Sequence, residues 1–197
     1  MGEKDFFVHP KALVEADIIG AKTRIWAFAH VLKNVSIGED CNICDYVFVE
    51  SGVTIGNRVT IKNGISLWDG VTIEDDVFLG PNCVFTNDMF PRSKAHHQQY
   101  EKTLLKKGAS IGANATILCG ITLGNYCLIG AGAVVTKDVP DFACLVGNPG
   151  KLLYWISKTG ERLNFDTKGE ATDSAGNKYK LIVNPEEKIA EKVIEVK

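Results

Sequence analysis

The sequence predicts an all-β solenoid, a parallel β-helix of hexapeptide repeats. Aliphatic residues recur every six positions from Ile19 through Ile25, Val31, Ile37, Ile43, Val49, Ile55, Ile61, Leu67, Ile73 and Leu79 to Phe85. The count resumes at Ile111, Ile117, Leu123, Ile129 and Val135, and a second apolar or small beat falls four residues after most of these. A six-residue period with two inward positions matches neither an amphipathic helix nor an alternating strand, and it is the signature of short strands stacked into flat parallel faces. A β-sandwich of short strands would not hold that register for so long. Three hexads close one coil, so residues eighteen apart should lie over one another at ~4.8 Å.

The elements follow in order. Val8 and Val14 extend the rhythm backward across a one-residue deletion, starting the solenoid near residue 7. Glycine often follows the aliphatic, as in "IGED", "IGNR", "LGPN" and "IGAN", and Asn/Asp-rich corners suit tight turns. Between Phe85 and Ile111 the beat lapses, so a loop of about residues 88–110 is expected to be extruded. After "GNPGK" at 147–151 the rhythm stops. Residues 7–152 therefore read as the β-helix domain and 153–197 as an appendage. The appendage is expected to hold a short helix in "LLYWISKTGERLNF", a β-hairpin turning near Ala175-Gly176-Asn177, and a terminal helix. Asn184 as cap, Pro185 in the first turn, and Glu186 and Glu187 at the positive end point to that last helix.

Composition narrows the function classes. At 197 residues with a formal net charge of −2, no global basic field argues for nucleic acid. No secretory h-region and no apolar run long enough for a bilayer is seen, so no membrane association is expected. Of six cysteines, Cys41, Cys83 and Cys127 fall on the inward small beat, where cysteine acts as a compact hydrophobe. "CNIC" at 41–44 spans two different repeat positions, against a metal or redox pair, and a reducing cytoplasm is the expected compartment.

Long loops in compact proteins tend to carry function. Stacking arithmetic puts Thr86 over Trp68 over Glu50, and Asn87 over Asp69 over Ser51. One outer face thus gathers Glu50, Asp69, Asn87 and Asp88 beside an indole at the loop root. His96 and His97 on the loop, and His30 in "IWAFAH", are candidate proton acceptors near neutral pH; solvent-exposed polar surface is the plain alternative for each. His9 lies at the start and is expected to be inert. No histidine and carboxylate spacing resembles a zinc set, and no metal is expected. Near the end of the solenoid, small outward residues in "IGANATILCGITLGNYCLIGAGAVVTKDVP" would let a ligand lie along the backbone, with Lys107, Lys137 and Lys151 available for phosphates.

The hexads, the interrupted "GPNCVFTNDMFPRS" and the closing "IGAGAVVTKDVPDFACLVGNPGK" resemble the hexapeptide-repeat acyltransferases. Within them, "TRIWAFAHV" and "TLLKKGASIGANATILCGITLG" are similar to N-acetyltransferases acting on nucleotide-linked 3-amino sugars. The resemblance runs from about Phe7 to Phe165. It implies a left-handed β-helix, a homotrimer with sites between subunits, and acetyl-CoA as co-substrate. Pantetheine would run along Gly112, Ala113, Ala131 and Gly132, with its phosphates near Lys137 and Lys151. Asn87 would orient the sugar amine, Asp88 would attract or accept its proton, and Arg92 would help hold the nucleotide diphosphate. Relatives with cysteine pairs in the C-terminal segment differ from "SKTG" and "DSAG" here, so a metal knuckle is not expected.

The implied reaction is acetyl transfer to the C3 amine of a dTDP-3-amino-3,6-dideoxyhexose for surface-glycan assembly. The same chemistry on UDP-2-acetamido-3-amino-2,3-dideoxyglucuronate is the alternative; it would need a cation such as Arg24 or Arg92 at its carboxylate. A non-catalytic sugar-binding scaffold is the alternative from another class. The metal-dependent anhydrases that share the repeat would need three histidines on facing coils.

Overall fold

The computed structural model describes residues 5–94, 100–183 and 190–196. Nearly every hexad supplies one two-residue strand, because a single inward side chain and its outward neighbour fit each flat face before the chain must turn. Strands eighteen residues apart pair in parallel, as in Arg24↔Asn42↔Thr60 and His30↔Phe48↔Ser66. Three flat faces result. One carries eight parallel rungs and a final antiparallel strand; the other two run beside it.

Both beats point inward. Ile25, Val31, Ile37, Ile61, Leu67 and Leu79 of the first and Val53, Val59 and Ile65 of the second are fully buried. Cys41, Cys83 and Cys127 sit in this core as expected, with Cys44 on the outer side of the turn. Burial pushes the Cys83 and Cys127 thiols up to about 12. Many corners turn through a residue of positive φ, among them Phe28, Asn34, Asp40 and Tyr46. Four of the corner residues are aromatic and pair off vertically, Phe28 on Tyr46 at 5.1 Å and Tyr126 on Phe142 at 5.7 Å.

The rhythm resumes one hexad earlier than the sequence suggests. Thr103–Leu105 is already a strand and pairs with Val71–Ile73, and Ser110–Ile111 pairs with Phe78–Leu79. These partners lie thirty-two positions apart where most rungs lie eighteen apart, an insertion of fourteen. The expected loop of about 88–110 is therefore too long at its C-terminal end. Leu105, Thr103 and Ala109 are buried inward residues hidden in the sequence by flanking lysines.

The C-terminal segment contains no helix among the described residues. Where a short helix was expected, Lys151–Trp155 is a strand that folds back antiparallel on Ala143–Val146 and completes the large sheet. It crosses the expected boundary at residue 152. The expected hairpin is present, pairing Glu170–Thr172 with Lys178–Val183. The expected terminal helix is absent over Ala190–Val196, which is the third strand of that small sheet, with Val193 buried. A free hydrogen-bonding edge and a buried alternate position overrode the helix signals of the sequence. The capping residues Asn184 and Pro185, with Glu186 and Glu187, lie outside the described residues. Tyr179 anchors the appendage: its buried ring meets Phe142 edge-on at 5.5 Å, and its hydroxyl donates to Asp173 Oδ2 at 3.0 Å.

Candidate active site

Asn87 and Asp88 follow the last strand before the insertion, Val84–Phe85, and Glu101 precedes the first strand after it. The two ends of the loop meet. The Glu101 N–H donates to the Asn87 carbonyl at 3.3 Å, and the Thr103 N–H to the Gly70 carbonyl at 3.0 Å. The Glu101 side chain lies against Gly120, where an added Cβ would stand 3.4 Å from Oε2. Asp88 Oδ1 accepts the Phe90 N–H at 2.8 Å, turning the chain outward into the loop. No motif in the sequence marks Glu101; the signal that could have found it is the resumed beat at Leu105, which fixes where the loop must close.

The wall below the loop is as the stacking arithmetic requires. Trp68 and Glu50 directly follow the paired residues Leu67 and Val49. The Asp69 N–H donates to Glu50 Oε2 at 2.8 Å, so one coil's carboxylate orders the next coil's turn. Thr86 Oγ1 accepts the Cys119 N–H at 2.9 Å, bridging the insertion from below to above. The Phe85 carbonyl has counterparts one and two coils down, at Leu67 and Val49, which accept backbone N–H groups; here it accepts the Trp68 indole N–H at 2.8 Å. That bond sits where this face breaks into two separate sheets.

His30 faces outward on the same side. Its ring meets Phe48 at 5.6 Å, and Phe48 meets Trp68 at 5.7 Å, giving a row of three aromatic side chains that climbs to the loop root. Phe48 was missed in the sequence, although it lies eighteen residues after His30. Arg24 is not on this wall; it sits between Phe7 and Asn42 on the large sheet. Arg92 is exposed on the loop, donating to the Pro91 carbonyl. His96 and His97 lie outside the described residues.

Lys137 and Lys151 converge at the end of the solenoid. Both line a cavity of about 360 Å³ whose other walls include Val135, Thr136, Pro149 and Gly150. Gly112, Ala113, Ala131 and Gly132 occupy one corner of successive coils. Gly112 has a packing reason of its own, since a Cβ there would lie 2.5 Å from the Ala131 nitrogen. Gly132, with φ of +69°, opens onto free space. Among the described residues no group of three or more His, Cys, Asp or Glu is arranged to hold a metal ion. Among them, too, no helix is long and apolar enough to cross a membrane.

The family model described as "Bacterial transferase hexapeptide (six repeats)" matches residues 18–51, 52–87 and 102–137, and so breaks where the loop emerges. The dTDP-3-amino-3,6-dideoxy-α-D-galactopyranose 3-N-acetyltransferase of Aneurinibacillus thermoaerophilus is 52% identical over 174 residues, 88% of this chain and 90% of that one. Among solved structures, a galactoside acetyltransferase in complex with coenzyme A superposes with a TM-score of 0.54 at 25% identity, covering 62% of this chain and 66% of that one. A hexapeptide-repeat acetyltransferase from Vibrio cholerae, complexed with acetyl-coenzyme A, shares the fold with a TM-score of 0.50 at 23% identity, over 71% of each chain. With this repeat spanning most of the solenoid and a half-identical relative along nearly the whole chain, the protein belongs to the bacterial hexapeptide-repeat transferases, as an acetyltransferase with the left-handed β-helix of that family.

Proposed function

We propose that the chain transfers acetyl from acetyl-CoA to the C3 amine of a dTDP-linked 3-amino-3,6-dideoxyhexose. The observation that carries this reading is the 52% identity to an acetyltransferase of that substrate over 90% of the relative's length. Catalysis is assigned to the β-helix domain of about residues 7–152, working in the cytoplasm as a homotrimer, with each cleft shared by two subunits. Arg24, on another face from the wall, could reach a cleft only from the neighbouring subunit.

The donor's phosphates are assigned to Lys137 and Lys151, and its pantetheine to the corner of Ala113, Ala131 and Gly132. Asn87 holds the neutral amine toward the thioester carbonyl, and Asp88 attracts the protonated amine and takes part in its deprotonation. The nitrogen lone pair adds to the carbonyl carbon, the C–S bond breaks, and the thiolate takes up the proton that the amine gives up. A sugar amine is less basic than lysine, so positioning and backbone N–H groups facing the developing oxyanion supply most of the acceleration. His30 and Glu50 flank this path as further candidates.

Thiol release from acetyl-CoA, followed with dTDP-3-amino-3,6-dideoxygalactose and with UDP-2-acetamido-3-amino-2,3-dideoxyglucuronate, tests the reading. Turnover of the first alone is expected. Preference for the uronate would replace the substrate, and failure to bind CoA in calorimetric titration would return the chain to a sugar-binding scaffold.

A further inference from the structure

We propose that Trp68 selects a 6-deoxy sugar over its 6-hydroxy or uronate counterparts, by presenting only apolar surface to the substituent at C5. This rests on the acceptor reading above, with the C3 amine at Asn87 and Asp88. Trp68 and Asp69 lie one coil below Thr86 and Asn87, across the step where this face breaks into two sheets, and close enough for the Trp68 indole to reach the Phe85 carbonyl at 2.8 Å. A sugar whose amine is held at Asn87 therefore lays its far edge over Trp68.

Tryptophan is ordinarily a hydrogen-bond donor as well as an apolar surface. Here the one side-chain N–H is committed to the Phe85 carbonyl at 2.8 Å in a half-buried bond. The indole is also fixed in orientation, tilted at 56° against Phe48, with the small Ser66 in register above Phe48 leaving room for that contact. What remains for a ligand is ring carbon. The charged groups beside it are carboxylates: Glu50, already turned to the Asp69 N–H, and Asp69 itself, while the Thr86 hydroxyl one coil above accepts the Cys119 N–H. A methyl group on C5 gains apolar contact on this surface. A hydroxymethyl group can give its one O–H to a carboxylate but regains no donor for its oxygen from the indole, and a carboxylate meets like charge. Both losses act in the bound state, so discrimination is built from what the wall withholds as much as from what it offers.

The experiment compares kcat/KM for dTDP-3-amino-3,6-dideoxygalactose and dTDP-3-amino-3-deoxygalactose, which differ only at C6. The unmodified protein is expected to favour the 6-deoxy sugar by ~10–100-fold, the range a single apolar pocket contact allows. Trp68→Phe keeps the apolar surface and should keep the preference. Trp68→Gln should bring the ratio to within about threefold, chiefly by losing activity on the 6-deoxy sugar, as expected when a contact of that size is removed. Equal kcat/KM for the two sugars in the unmodified protein, or an unchanged ratio in Trp68→Gln, overturns the assignment while leaving the acetyltransferase reading intact. Turnover of neither sugar overturns both.

Should Trp68→Gln fail to fold, tryptophan emission decides. Titration with the 6-deoxy amino sugar nucleotide should change emission beyond what dTDP alone produces, and Trp68→Phe should abolish that difference. An equal response to dTDP alone would mean that Trp68 meets the nucleotide rather than the hexose, and would overturn the proposal.

Discussion

Two threonines occupy the same small inward beat of the repeat and should respond oppositely to one substitution. Thr103 is 1% exposed, and its hydroxyl has no hydrogen-bond partner among the described residues. Thr23 is fully buried, but its hydroxyl donates to the Gly38 carbonyl at 2.7 Å and accepts the Cys41 N–H at 3.0 Å. Valine has nearly the shape of threonine, so neither replacement opens a cavity. An unsatisfied buried polar group costs ~1–3 kcal/mol, whereas an apolar replacement restores nothing that must be paired. Thr103→Val is therefore expected to stabilise by about 1 kcal/mol, which for a chain of this size is ~2–4 °C in Tm. Thr23→Val strands the Cys41 N–H in the core and is expected to destabilise by ~1–3 kcal/mol. Guanidinium unfolding at one fixed protein concentration, so that any subunit association contributes equally, measures both. A loss of stability in Thr103→Val, or the same sign for both variants, would refute the reasoning.

Three further outcomes are expected. Gly112→Ala puts a methyl group 2.5 Å from the Ala131 nitrogen, and since backbone cannot yield cheaply it should cost ~1–3 kcal/mol in the same unfolding assay. Asn87→Ala should lower kcat by ~10²-fold with little change in KM for acetyl-CoA, whereas Lys137→Ala should raise that KM and spare kcat, as misplacement of an acceptor and loss of uniform donor binding respectively predict. Thiol labelling should detect Cys44 alone in the folded protein and all six cysteines after denaturation, because the other five are buried.

The solenoid is legible because a six-residue period leaves a mark at every turn, and each inward residue is fixed by core packing. Charge hides one part of it: in "KTLLKKG" the lysines of an exposed corner surround Leu105, so the beat reads as resuming only at Ile111. The stacking of Trp68 on Glu50 can be counted from register alone. The commitment of the indole N–H to Phe85 cannot, because it depends on a break in one sheet face that periodicity does not record. Gly112 illustrates the converse. Its small size reads as room for a ligand, yet the backbone of the next coil already requires it. The C-terminal strand reads as a helix for a third reason. "KIAEKVIEV" carries local helix propensity, and the partner strand Lys178–Val183 that overrides it is separated by a stretch whose sequence carries no pairing signal.

Because the fourteen-residue excursion leaves and returns at one corner, fastened by the Glu101 and Thr103 amides, the coils above and below are indifferent to its length. Chain can be added or removed there without shifting a single rung. The scaffold thus separates two kinds of change: the coils around Lys137 and Lys151 are tied to solenoid geometry, while the loop root at Asn87 and Glu101 carries an exchangeable cassette. On the acceptor site proposed above, new sugar preferences are most simply reached by rewriting that cassette and the wall residue beneath it.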